Sequence, residues 1–202
     1  GTFQPELKEV KPVYGTLKPV QTWNPIIINY KHMWQLVKDC WRTRSFIDKV
    51  RVWFMPTGWR PEDVKEKYPV ELILNPDDQV KYTRDSSRLL LGWSWAQLII
   101  TNIFLFHMLI MIPSQSELMS YLYALFVMVN IFSYTSVLDH SRYMILAEIV
   151  KIGLAAYLIL TNGVSWFGFD GLILQLVMAY LALSLFLTYY FYRTEPIAAI
   201  QT

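Results

Sequence analysis

The 202-residue chain is 54% hydrophobic and only 17% charged, with one cysteine, three histidines and a formal net charge of +2. A single Cys excludes an internal disulfide, and three His with one Cys exclude a self-sufficient zinc module or histidine-rich metal centre. Eighteen basic residues against sixteen acidic ones are too evenly balanced for an electrostatic nucleic-acid binder, so the expected partner is membrane lipid and not nucleic acid.

Charge is distributed unevenly along the chain. Residues 1–88 hold 15 basic and 11 acidic side chains, whereas residues 89–202 hold 3 and 5. The expected organisation is therefore a cytoplasmic or interfacial segment, 1–88, followed by a transmembrane region, 89–202. The first 20 residues are polar and rich in Lys and Pro, unlike a cleavable signal. The chain opens on Gly1 and not on Met, which suggests processing or a piece of a longer protein.

Residues 1–22 contain Pro5, Pro12, Pro19 and Gly15 without a sustained period and read as an extended connector. At Trp23-Asn24-Pro25 the pattern changes: Asn24 suits an N-cap, and Pro25 suits the first helical position, where its missing N–H costs nothing. Ile26, Ile27, Tyr30, Met33, Trp34, Val37, Cys40 and Trp41 then recur at helical spacing. Ser45-Phe46-Ile47-Asp48 has a capping-box-like spacing and opens a second short helix with Val50, Trp53 and Phe54 on its apolar side. An amphipathic helix ordinarily faces a soluble core. Trp residues among Lys31, Lys38, Arg42, Arg44, Lys49 and Arg51, just ahead of a membrane region, favour a bilayer surface or the cytoplasmic face of a bundle. Met55–Pro61 reads as a turn, and Tyr68–Leu74 as a short strand weakened by Pro69.

A membrane span needs roughly 20 mostly apolar residues, and four stretches qualify: Leu89–Ile112, Leu118–Leu138, Tyr143–Thr161 and Leu172–Tyr192. Short connections at 113–117, 139–142 and 162–171 make consecutive helices antiparallel neighbours. The predicted fold is an all-α integral membrane protein, with amphipathic interfacial helices followed by about four transmembrane helices. With four spans, Arg84, Arg88, Arg142 and Arg193 share one side and the opposite loops carry only Glu117 and Asp170, so both termini are expected to be cytoplasmic. Trp93, Trp95, Tyr121, Tyr123, Trp166, Phe167, Tyr189, Tyr190 and Tyr192 sit where interfacial belts belong. Glu148 and Lys151 interrupt the third span. Three residues apart, they share a helix face and can pair, either as a buried interhelical contact or as part of a headgroup or substrate site. The spans otherwise offer no evident polar lining for a transport pathway.

The run Gly1-Thr2-Phe3, Val13-Tyr14-Gly15, Trp23-Asn24-Pro25 and Gly58-Trp59-Arg60-Pro61, followed more weakly by Leu138-Asp139 and Glu148, resembles the region after the catalytic domain in alkylglycerol monooxygenase-like members of the sterol desaturase/fatty acid hydroxylase superfamily. The resemblance implies a membrane enzyme that hydroxylates lipid C–H bonds at a di-iron centre held by HxxxH and HxxHH boxes, with O2 and a reduced pterin such as tetrahydrobiopterin. Such boxes place imidazoles on one helix face at i, i+3 and i+4. His32, His107 and His140 form none of them, so this chain is expected to contain no complete active site and no metal ligand. In that family the boxes precede the Gly-Thr-Phe element, so the chain corresponds to the C-terminal portion, whose partner is the histidine-box domain in cis or in trans. Trp23, Asn24, Trp59 and Arg60 then build turns that dock the segment on that domain. Asp139 and His140 either cap the third span or contact the domain. The alternative reading is a non-enzymatic membrane scaffold or regulatory module.

Overall fold

The computed structural model describes residues 20–70 and 82–195. Gly15 and residues 71–74 of the expected strand lie outside the described residues. Among the described residues the chain is all-helical, with seven α-helices: α1 Pro25–Arg42, α2 Phe46–Arg51, α3 Glu62–Lys67, α4 Arg88–Met111, α5 Glu117–Leu138, α6 Met144–Thr161 and α7 Gly171–Thr194. Residues 68–70 form no strand. The chain divides into two compact units, one containing Ile27–Thr83 and the other joining Trp23–Ile26 to Arg84–Thr202.

Among the described residues four helices are long and apolar enough to cross a membrane: Arg88–Ser114, Glu117–Leu138, Met144–Thr161 and Gly171–Thr194, the first including a 3₁₀ turn at Ile112–Ser114. The chain is a multi-pass integral membrane protein. Local signals set the helix ends. Ser87 accepts from Leu90 N and Ser116 accepts from Met119 N, each supplying the side-chain cap that a helix start requires. Pro113 ends α4 in its 3₁₀ turn, where its missing N–H cannot continue the α-ladder.

The four long helices pack around two hydrophobic clusters, a larger one that includes Phe104, Phe126, Leu158 and Leu181 and a smaller one of Leu90, Val137, Met144 and Phe191. Buried residues on α6 recur at Met144, Ala147, Glu148, Lys151, Ala155 and Leu158, a single 3.6-period stripe, and α7 does the same at Val177, Tyr180, Leu181, Ser184, Thr188 and Phe191. Outward positions such as Ile99, Ile110, Leu118, Leu160, Leu172 and Phe186 are exposed and apolar, as contact with hydrocarbon requires.

One end of the bundle is closed by the α6–α7 connection. Trp166 and Phe167 are almost fully buried, with Tyr123 stacked on Phe167 at 4.3 Å between centroids and Trp166 edge-on to Phe126 at 5.1 Å. The turn that drives both rings inward pairs Trp166 N with Phe169 O at 2.7 Å and places Gly168 at φ +90°, a conformation suited to glycine. Trp166, Phe167 and Tyr123 are thus core residues and not members of an interfacial belt. Trp95, Tyr121, Tyr189 and Tyr190 are exposed.

The smaller unit has a different interior. Among its described residues the buried hydrophobic side chains are Val52 and Val64, while Asp39 and Thr43 are buried polar groups. Asp39 receives both arms of Arg60, Nε to Oδ2 at 2.7 Å and Nη2 to Oδ1 at 2.9 Å, and Gln35 Nε2 donates to Oδ1 at 2.7 Å. Arg60 Nη1 donates to Tyr68 O at 2.9 Å, so one guanidinium ties α1 to both ends of α3.

Candidate functional site

Two polar constructions stand out within the membrane unit. The first lies midway along the spans and draws on all four. Lys151 Nζ lies 2.8 Å from Glu148 Oε1, and both side chains are essentially fully buried. Ser133 Oγ donates to Glu148 Oε2 at 2.6 Å, linking α5 to α6. Lys151 donates to Ser184 Oγ at 2.6 Å, linking α6 to α7, and lies 5.2 Å from the Tyr180 ring centre. Gln97 Nε2 on α4 also donates to Ser184 Oγ, at 2.9 Å. The Tyr180 hydroxyl reaches Gln97 Oε1 and Asn130 Oδ1, and Asn130 Nδ2 donates to Thr101 Oγ1 at 2.8 Å. Thr101 passes its own proton back to Gln97 O at 2.6 Å.

This arrangement answers the cost of charge in hydrocarbon. An isolated ionised side chain at the centre of a span costs about 2.5–3.5 kcal/mol on insertion scales. Here the ammonium meets a carboxylate, a hydroxyl and an aromatic face, and the second carboxylate oxygen meets a hydroxyl, so both ions keep partners without water. The Tyr180 hydroxyl has one proton for two acceptors, Gln97 Oε1 and Asn130 Oδ1, and can serve only one at a time.

The spans are therefore not empty of polar groups apart from Glu148 and Lys151. Gln97, Thr101, Asn130, Ser133, Tyr180 and Ser184 are all buried and bonded to one another or to that pair. Their signal in the sequence is positional: each falls in register with the apolar core stripe of its own helix. The bonds cross from helix to helix, so the cluster ties the four spans together.

The second construction gathers residues carried by the resemblance. Asn24 is fully buried; its Oδ1 accepts from Ile26 N at 3.0 Å, the N-cap bond, while Nδ2 reaches Phe132 O at 3.3 Å and Ser136 Oγ at 3.4 Å on α5. Pro25 is the first residue of α1. Trp23 N donates to Asp139 Oδ1 at 2.8 Å. The peptide of Asp139 continues α5 by donating to Thr135 O at 3.0 Å, and His140 turns the chain at φ +53° with its Nε2 3.3 Å from Ser86 Oγ. At α6, Tyr143 occupies the N-cap position without a bond from its own side chain, and its N–H donates to Ser141 Oγ at 3.3 Å. Trp23-Asn24-Pro25 and Leu138-Asp139, far apart in sequence, thus meet at the α5–α6 turn.

The remaining motif residues belong to the smaller unit. Gly58 sits at φ +93° in a turn closed by Trp59 N donating to Pro56 O at 3.0 Å, and Pro61 is the N-cap residue of α3. Arg60 makes the Asp39 pair described above. Asp63, two residues on, accepts from Arg44 N at 2.9 Å and from Thr43 Oγ1 at 3.1 Å. The Arg44 peptide N–H is the chief reason its carboxyl lies below the usual carboxylate range.

Neither construction offers ligands for two irons. His32 is exposed on α1, His107 binds the Tyr123 hydroxyl through Nδ1 at 2.9 Å, and His140 faces Ser86. Among the described residues no three His, Cys, Asp or Glu side chains gather as a metal site. The described residues do not fit a di-iron centre.

Human alkylglycerol monooxygenase is 31% identical over 90 residues, which cover 45% of this chain and 20% of the human protein. The chain is similar to alkylglycerol monooxygenase. The Xenopus tropicalis alkylglycerol monooxygenase is 32% identical over 72 residues, 36% of this chain and 16% of that protein. The chain thus matches a fifth or less of the length of these curated relatives. No family model matches the chain. No solved structure matches it.

Proposed function

We propose that this chain is the membrane-anchoring, lipid-facing C-terminal part of a lipid-hydroxylating oxygenase resembling alkylglycerol monooxygenase. Its termini lie in the cytoplasm, and it works with a histidine-box domain supplied in cis or in trans. In this reading iron and a reduced pterin belong to that domain, and the lipid is an ether lipid or a close analogue. The contribution of this chain is to fix the catalytic domain at the membrane face and to shape the approach of an alkyl chain. The similarity to two alkylglycerol monooxygenases carries the reading. The four spans supply the membrane context it requires.

The test is isolation of the native polypeptide from its source membranes with an antibody to residues 1–20. The reading expects a species larger than 23.8 kDa, or a complex with a histidine-box polypeptide, that contains iron and oxidises an ether lipid. A lone, iron-free 23.8 kDa product without oxidation would overturn it. That outcome would favour a scaffold or regulatory module, the second reading kept by the scatter of His32, His107 and His140.

A further inference from the structure

In the smaller unit α1 turns a carboxylate inward. Asp39 on α1 is 1% exposed, bound by Arg60 and Gln35. On the outer side of the same helix Ile27, Tyr30, Trp34, Val37 and Trp41 recur at alternating spacings of three and four and are all exposed, Trp41 at 87%. Further exposed apolar side chains follow on and just after α2: Phe46 is 79% exposed, Phe54 81%, and Ile47 and Val50 are exposed as well. A soluble helix turns such a stripe toward a core, and an uncovered apolar patch of this extent marks an interaction surface.

The charges on this segment indicate its partner. Residues 25–54 carry Lys31, Lys38, Arg42, Arg44, Lys49 and Arg51 against Asp39 and Asp48. Asp39 is neutralised by Arg60, and Asp48 lies 3.7 Å from Arg51. At 3.6 residues per turn, Lys31 and Lys38 flank one edge of the aromatic stripe, where long side chains can lie along apolar groups and lift their ammonium ions to headgroup level. Lys38 Nζ already lies 6.0 Å from the Trp34 ring centre. We infer that this α1–α2 face docks on an anionic bilayer surface, with Trp34, Trp41, Phe46 and Phe54 inserted at the acyl boundary and Lys38 on lipid phosphate. A large aromatic face bordered by cations is the composition of an interfacial helix, whereas protein interfaces deplete Lys. The inference is independent of whether the neighbouring domain oxidises lipid.

The experiment uses the full chain in nanodiscs of phosphatidylcholine with or without phosphatidylserine. With Cys40→Ser as background, spin labels are placed at Trp41→Cys and Phe54→Cys on the face and at Lys65→Cys on α3. In anionic discs the first two labels are expected to favour oxygen over a water-soluble nickel relaxant, and the third the reverse. Neutralising Lys38→Gln should shift the docked-to-undocked ratio by roughly 5-fold, at about 1 kcal/mol per basic residue near an anionic surface. Equal nickel access at all three labels would overturn the proposal. So would labels at 41 and 54 shielded from both relaxants, the signature of a protein partner on that face. Unlabelled chain serves as a check on label effects: brominated lipid should quench its Trp fluorescence more than that of Trp41→Phe, and equal quenching would contradict insertion.

Discussion

The two units each bury an ion pair, but on different foundations. In the membrane unit Glu148 and Lys151 belong to one helix, and their neighbours Ser133, Ser184, Gln97 and Tyr180 tie them to the other three, inside a core that also holds Phe104, Tyr123, Phe126, Trp166 and Phe167. In the smaller unit Asp39 and Arg60 come from separate segments, and among its described residues the buried hydrophobic side chains are Val52 and Val64. An ion pair set in a large packed core specifies how helices meet; one set in a minimal core has to hold the fold together. The same chemistry therefore has different consequences when removed.

The largest effect is expected at Lys151. Lys151→Met leaves the Glu148 carboxylate buried without its counter-ion and should cost about 3–5 kcal/mol, whereas Glu148→Leu with Lys151→Met removes both charges and should cost far less. Unfolding of both variants in mixed micelles checks this; equal losses would show that the network, and not the charge balance, dominates. Arg60→Ala should cost about 3 kcal/mol, near the lower figure because Arg60 is itself partly exposed. The loss should be confined to the smaller unit, with hydrogen exchange accelerated across residues 56–68 and unchanged in α4–α7. Spread of that acceleration into the spans would break the distinction drawn between the units.

Asn24→Ala removes an N-cap and two buried contacts to α5 and should cost about 1–2 kcal/mol. Here the protection lost should lie at the first turn of α1 and at residues 132–139. The smallest effect concerns pH. The Asp63 carboxyl is held low by the Arg44 peptide, so its contribution is complete above the ordinary carboxylate pKa and is lost as pH falls through the lowered value, below about pH 4. Asp63→Asn should abolish that acid-side loss of α3 protection; an unchanged pH profile would place the sensitivity elsewhere.

Four spans and the α1 start were legible because each rests on a local signal: apolar length in one case, and Asn24 followed by Pro25 in the other. Partners across the chain were not. Gln97, Asn130 and Tyr180 look like isolated polar residues in apolar runs until three helices bring them together, and Asp39 gives no sign that Arg60, 21 residues later, will meet it. Trp166 and Phe167 flank a span, as belt residues do, yet a turn with Gly168 at positive φ directs them inward. The outward aromatic face of α1 has a period that fits a buried helix equally well; only the burial of Asp39 on the opposite side distinguishes the two.

The four-span arrangement underlies every other conclusion, and side-specific cysteine labelling of the full chain in sealed vesicles tests it most directly. With Cys40→Ser as background, Ser114→Cys and Asp170→Cys should label from one face and Arg142→Cys and Glu195→Cys from the other. Labelling of Ser114→Cys and Arg142→Cys from the same side would contradict the account.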